Sequence, residues 1–460
     1  MSIIGRNNPS VIIIGAGAAG IAAASRLYAN GFEDITILEA GSRIGGRIHS
    51  VPFEGSYIDL GAQWCHGEKK NVVYELVNGL GILKEEDLSP KLYHSSSKVI
   101  EEAFQRRFLA VADDLDGAES LAQRIVERFQ REVWEDEELV GECLEWLRKS
   151  ALSYDGAFSW LNVSGCEDFE ECEGEGHLSW NGLGYKTILK VLMSKFPDAL
   201  ESKLLLGKEV YQITWGDQVV VSCLDGTTYS ADHVIVTPSL GVLKKCHKTL
   251  FHPELPLEKV IAIETLGFDA VGKIFLHFPN KWWDQNFTNI NFVWSESDLK
   301  KSAEEFPCEN FSVTQFQKGR SWVTGIFAIH TVLGSPNLLL AWASGEFVPE
   351  IETRTDQEII SGIEYILHKF LGKRHSPDAI IREKWYSHPH FYGTYSFQTV
   401  QSQKLGRSQA SVLRQPLLSA GGKPRVLFAG EATHAKYYST VHGAIETGHR
   451  EADRLIDFCK

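Results

Sequence analysis

The chain has 460 residues, 43% of them hydrophobic, which exceeds one ordinary domain and supplies a large core, so two domains are expected. Its formal charge of −14, from 60 acidic against 46 basic residues, argues against a nucleic-acid partner and is compatible with a cationic ligand. No segment is long and apolar enough to span a bilayer, and the first ten residues read as neither a secretory signal nor an anchor, so a cytoplasmic protein without a membrane partner is expected.

Residues 11–47 read VIIIGAGAAGIAAASRLYANGFEDITILEAGSRIGGR, and the rest of the chain is organised around them. Val11–Ile14 is a β-branched run of the kind that forms a buried parallel strand, and it leads straight into Gly15, Gly17 and Gly20, a GxGxxG turn. Small and apolar residues suit Ala18–Ala29 to a helix, which Gly31 closes from the left-handed conformation, and Ile35–Leu38 predicts a second buried strand. In such a βαβ unit Gly15 allows the tight turn, Gly17 lets a pyrophosphate approach the backbone, and Gly20 lets the helix pack against the strand. The free N–H groups at the helix start, near Ala18 and Ala19, and the positive end of its dipole favour phosphate. Glu39, at the end of the second strand, is placed to accept hydrogen bonds from ribose hydroxyls. A bound dinucleotide is the expectation, and a plain glycine turn the alternative. Residues 40–47, AGSRIGGR, add a second glycine pair and two arginines, Arg43 and Arg47, which a nicotinamide dehydrogenase does not need.

Residues 57–67, YIDLGAQWCHG, run from strand-like residues through Gly61 and Ala62 into Gln63, Trp64, Cys65 and His66. This suits a loop facing a ligand, although a loop histidine also serves as a partly buried hydrogen-bonding group. Residues 83–205 change to charged, helix-compatible stretches without turn-punctuated strands; residues 120–147 predict two helices and residues 186–195 another. Residues 166–175, CEDFEECEGE, hold six carboxylates, either a solvated loop or a mouth that attracts cations. Strands return at 210–215, at Val219–Cys223 and at 227–229 about a turn at Asp225 and Gly226, and at 231–237.

Lys273 heads a near-continuous apolar strand, where it must either reach solvent or be buried at considerable cost. Residues 381–397, IREKWYSHPHFYGTYSF, contain Trp385 and Tyr395, and Tyr395 either packs a core or faces a ligand. Residues 426–429 predict a short buried strand ending at Gly430 and Glu431, on the edge of the sheet where ligands bind. Val441, Ala444, Ile445, Gly448, Ala452, Leu455 and Ile456 recur three or four apart, which predicts an amphipathic helix starting near Ser439 or Thr440. The eight cysteines show no CxxC or Cys/His spacing, so reduced thiols and no metal are expected, and the last three residues do not match the peroxisomal tripeptide.

Together these stretches resemble the flavin-containing amine oxidases, and within that family the animal spermine and acetylpolyamine oxidases. The resemblance rests on EAxxRxGGR at residues 39–47, GAQWCHG at 61–67, Lys273 in VGKIFLHF, the pattern of Trp385, Gly393, Tyr395 and Ser396 with Thr394 in place of the usual serine, and residues 426–459. It is weakest between about 90 and 200. It implies an α/β fold: a discontinuous Rossmann-like FAD-binding domain (residues 1–86, 204–262 and 399–460) and an α+β substrate-binding domain (87–203 and 263–398). Noncovalent FAD is implied, because Tyr437, Tyr438, Ser439 and Thr440 stand where monoamine oxidases bond the flavin through a cysteine.

Besides the first unit, with Ala40, Gly46 and Arg47, the resemblance implies FAD contacts at Gly61, Ala62, Gln63 and Trp64. Others are implied at Val210 beside adenine, at Trp385, at Gly430 and Glu431 along the ribityl and phosphate portion, and at Ser439, Thr440 and Val441 by the flavin pyrimidine. Lys273 is implied to hold a water toward flavin N5, His66 to position or help deprotonate the substrate amine, and Tyr395, facing Thr440, to confine it. The implied reaction oxidises a secondary amine of spermine, spermidine or an N1-acetylated polyamine by hydride transfer to flavin N5. With O2 as acceptor it gives an aldehyde, a shorter amine and H2O2. A monoamine oxidase, an L-amino-acid oxidase and a non-catalytic FAD-binding protein are the alternatives, and the preferred polyamine and oligomeric state are left open.

Overall fold

The β-branched run Val11–Ile14 is buried along its whole length, as expected of a strand covered on both faces. In the computed structural model, which describes residues 9–113, 119–166, 169–309 and 319–460, it lies inside a six-stranded sheet. The first eight residues, and Glu167 and Asp168 of the acidic run, lie outside the described residues. The order across the sheet is Leu417–Leu418, Pro424–Phe428, His233–Val236, Val11–Ile14, Ile35–Leu38, Leu204–Leu205. The inner pairings are parallel, with Ile13 beside both Ile235 and Ile37 and Val234 beside Val426.

Alternate side chains feed two cores. Val11 and Ile13 pack under Ala18–Ala29 and the last helix, Val441–Cys459, whereas Ile12 and Ile14 pack toward a four-stranded sheet that includes Val210–Thr214 and Val219–Cys223. The two helices cross closely at Gly448, where a β-carbon would sit 2.2 Å from Ala19 O. The expected strands at 227–229 and 231–237 are realised as Thr228–Ala231 and His233–Val236. Gly31 closes the first helix at φ 86°, and Thr440 caps the last one, both as the sequence suggests.

A second, seven-stranded sheet runs Ala379–Arg382, Gly272–His277, Ser335–Ala343, Ile326–Val332, Asn289–Val293, Leu92–His94, Lys98–Val99. Here the reading of residues 83–205 as strand-free is corrected. Leu92–His94 pairs in parallel with Asn289–Val293 and turns back through Ser97, at φ 63°, into Lys98–Val99; Leu178–Ser179 pairs with Lys84–Glu85. Strands of two or three residues are too short for alternation to register, and apart from the hairpin at Ser97 their partners lie far along the chain. The helical part of that reading holds. Ser120 and Asp136 cap the helices Leu121–Gln130 and Glu137–Asp155, and the latter ends at Gly156 with φ 65°. No helix among the described residues is long and apolar enough to cross a membrane.

Candidate active site

The carboxyl edge of the parallel sheet and one face of the seven-stranded sheet line a common cavity of about 1380 Å3. That exceeds the roughly 300–1,000 Å3 of a cleft for one small ligand and leaves room for a dinucleotide and a second molecule. From the first unit, Gly15, Gly17, Ala18, Ala19, Glu39 and Ala40 reach the wall, followed by Gly46 and Arg47. Gly20 and Arg43 do not. Gly20 lies under the turn, where a β-carbon would sit 2.0 Å from Gly15 O, so its role is the close helix–strand contact. Arg43 turns its Nη1 to the carbonyls of Ile44 and Ile48, at 3.3 and 3.1 Å, and braces the second glycine pair.

Gly17 tests whether the wall suits a phosphate. A β-carbon there would meet nothing nearer than Gly45 O at 3.9 Å, so internal packing does not require glycine; the space beside it is cavity, at a helix start with free N–H groups. Glu39 accepts from Ala16 N and Gly41 N, both at 2.8 Å, which hold its carboxylate at the wall while each oxygen keeps a lone pair for a ribose hydroxyl. Gln63 Oε1 is buried with no hydrogen-bond partner among the described residues, an acceptor suited to a missing donor. These residues fit a dinucleotide.

The remaining expected contacts lie on the same wall. Gly61, Ala62, Gln63 and Trp64 line it, and Gly61 is held so tightly that a β-carbon would sit 1.9 Å from Arg47 O. Val210 opens its strand there, and Trp385, whose Nε1 donates to Leu60 O at 3.1 Å, presents its ring. Gly430 turns at φ 115° into Glu431, which accepts from Arg47 Nη1 at 2.7 Å, Ser439 N at 2.8 Å and Ser396 Oγ at 2.5 Å. Ser439, Thr440 and Val441 bring the start of the last helix, and the positive end of its dipole, to the cavity.

The second sheet supplies Lys273, paired across strands with Trp342. Of the two environments open to it, burial is the one found: the residue is 5% exposed, and its Nζ donates to Asp59 O and, at 3.0 Å, to Gly61 O. Burial pulls its pKa down to about 7, against the opposing pull of Asp59 and Glu86. The Asp59 carboxyl is pushed up to about 6, also by burial.

His66 opens onto the cavity but is crowded by protein, which lowers its pKa and keeps the ring neutral. Its Nδ1 lies 2.8 Å from Gly176 O, a pure acceptor, so the proton is assigned to Nδ1 and Nε2 keeps its lone pair. Tyr395 lines the cavity with its ring against Gly156 and its hydroxyl donating to Ser153 O. Burial raises its pKa, so at neutral pH it is a wall and not a proton donor.

Glu86, His177, His330 and Trp342 line the wall around Trp64 without a signal of their own in the sequence. Trp64 stacks on Trp342 at 5.6 Å and 15°, stands edge-on to His177 at 5.3 Å, and donates from Nε1 to Glu86 Oε2 at 2.6 Å. His330 joins them, its pKa, like that of His177, pulled down to about 4 by burial. The acidic run divides: Glu170 and Glu173 pair with Lys436 and Lys69 on the surface, while Glu171 lines the cavity.

Comparison with known proteins gives the family and the fold. The profile of the family described as flavin containing amine oxidoreductase matches residues 18–456. The Homo sapiens peroxisomal N(1)-acetyl-spermine/spermidine oxidase is 31% identical, over 97% of this chain and 95% of its own. The probable polyamine oxidase 5 of Arabidopsis thaliana is 27% identical over 98% of both. A solved structure of putrescine oxidase bound to putrescine superposes with a TM-score of 0.70 at 18% identity, covering 98% of this chain and 99% of that one. The chain belongs to the flavin-containing amine oxidoreductase family, whose mixed α/β fold it has.

Proposed function

We propose that the protein is an FAD-dependent polyamine oxidase that acts on a secondary amine of spermine, spermidine or their acetylated forms. The flavin that the family implies supplies, when bound, a two-electron acceptor for hydride from the carbon beside nitrogen, and O2 takes the electrons on to H2O2. The glycine turn, Glu39, Arg47 and the start of the last helix would hold it without a covalent bond, in a cofactor-binding domain made of residues 1–86, 204–262 and 399–460. Residues 87–203 and 263–398 would form the substrate domain.

The observation that carries the reading is that Lys273, His66 and Tyr395, far apart in sequence, line one cavity with an aromatic wall and the carboxylate of Glu86. His66 Nε2, unprotonated, takes the proton that a substrate ammonium must lose before its neighbouring C–H bond can be broken. Lys273, near neutrality in its affinity for a proton, holds a water beside the reacting carbon, and Tyr395 and Trp64 keep the chain in line while excluding bulk water. An L-amino-acid oxidase would need an arginine for the substrate carboxylate. The arginines on the wall are engaged, Arg47 with Glu431 and Arg124 with Gly165 O.

The test is anaerobic mixing of the purified yellow protein with spermine. Bleaching of the flavin absorbance is expected, and a spectrum that no polyamine bleaches overturns the reading. A cytoplasmic location belongs to the same proposal, although the human relative is described as peroxisomal; imaging the tagged full chain decides it.

A further inference from the structure

We propose that Glu86 binds a second, unreacting ammonium of the substrate, so that the protein discriminates against polyamines whose far nitrogen is acylated. This rests on the polyamine reading above and names the feature of the substrate that the cavity selects.

The position of Glu86 is built from both sides. It follows the short strand Lys84–Glu85, which pairs with Leu178–Ser179, and its own N–H donates to His177 O at 3.0 Å. Its side chain reaches the cavity wall, where Oε2 accepts from Trp64 Nε1 at 2.6 Å. That hydrogen bond and one from the backbone N–H of Leu333 orient the carboxylate but do not neutralise it. Among the described residues no lysine or arginine forms an ion pair with Glu86. The nearest basic influence is Lys273, whose Nζ is already given to the carbonyls of Asp59 and Gly61. Burial raises the pKa of Glu86, the mark of a carboxylate short of compensation. A half-buried carboxylate without a counter-ion, on the wall of a cavity, is stabilised by whichever cation enters.

The surroundings favour an ammonium in particular. Trp64 and Trp342 stack at 5.6 Å, His177 stands edge-on to Trp64 at 5.3 Å, and His66 lies 5.9 Å from His177. Both imidazoles are neutral at physiological pH because burial lowers their proton affinity, so these rings offer π faces and no repelling charge. A chain reaching from His66 to Glu86 runs along the Trp64–Trp342 stack, which suits methylenes between two nitrogens. An amide nitrogen carries no charge, and in this place it would leave Glu86 desolvated and unpaired.

The test compares spermine with diacetylspermine, blocked at both ends, on the purified holoenzyme and on Glu86→Gln, which keeps an acceptor for Trp64. For the wild-type protein kcat/KM for spermine is expected to exceed that for diacetylspermine by roughly 30-fold or more, and Glu86→Gln is expected to raise the KM for spermine by a similar factor, with kcat little changed. The gap between the two substrates should then close. Equal use of both substrates by the wild-type protein overturns the proposal whether or not the variant folds, and so does a Glu86→Gln enzyme that keeps the wild-type ratio. In either case spermine is still oxidised and the polyamine reading stands; that reading fails only if neither compound, nor any other polyamine, is turned over.

Discussion

Arg47 Nη1 lies 2.7 Å from Glu431 Oε1, an ion pair between residues 384 apart in the chain. Arg47 ends the second glycine run, and Glu431 follows the strand Pro424–Phe428 of the same sheet. Because the carboxylate also accepts from Ser439 N and Ser396 Oγ, one side chain ties the first motif to the start of the last helix and to the strand Ser396–Phe397. Glu431→Ala leaves Arg47 with the carbonyl of Thr394 but no counter-ion, and removes the acceptor of Ser439 N and of Ser396 N and Oγ, at a cost of about 3 kcal/mol. The variant is expected to lose flavin on gel filtration, read as a fall in the ratio of flavin to protein absorbance. Full retention would show that the tie does not position the cofactor.

Two glycines of the first turn separate ligand binding from folding. Gly20→Ala brings a β-carbon to 2.0 Å from Gly15 O and is expected to lower the thermal midpoint of the protein with and without flavin. Gly17→Ala meets no atom of the protein within 3.9 Å and has an ordinary φ of −77°, so the apoprotein should melt as the wild type does. Its affinity for FAD should fall, because the methyl group occupies the space where the pyrophosphate approaches the backbone. Titration of both apoproteins with FAD checks the contrast.

Lys273→Met is expected to keep bound FAD and to slow flavin reduction or reoxidation by on the order of 100-fold. Lys273 carries its proton below about 7 and loses it above, so the wild-type rate should bend near that pH and the variant's should not. Stopped-flow traces between pH 6 and 9 decide it, and identical profiles would contradict a role for the amine.

Burial holds His177 and His330 at about 4 and His442 at about 3, well under the ordinary value of 6.5. As pH falls from 6.5 toward 4, the unfolded chain takes up protons that the folded chain refuses, so stability declines through that window. The loss is on the order of 2–3 kcal/mol per histidine at pH 4. Asp59, pushed up to about 6, works in the opposite sense because its folded form takes the proton first. The urea midpoint of His330→Leu should therefore fall less than that of the wild type between pH 7 and 4.5. Parallel slopes would remove His330 from the account.

The sequence by itself determined what depends on neighbours along the chain. A β-branched run followed by spaced glycines specifies Val11–Ile14 and its turn, and a 3.6-residue period with Thr440 ahead of it specifies Val441–Cys459, because backbone preference and one-sided burial act over a few residues. Resemblance added site residues that composition leaves undecided, Lys273 above all, whose strand pattern allows either solvent or burial. Only the tertiary structure settled that choice, by setting the carbonyls of Asp59 and Gly61 against its ammonium. Leu92–His94 likewise joins the seven-stranded sheet through Asn289–Val293, a partner far along the chain. Glu86, His177, His330 and Trp342 belong to no local pattern; they meet because the packing of two sheets brings distant segments to one wall, and that proximity is set by burial and shape across the whole core, which no window of sequence contains.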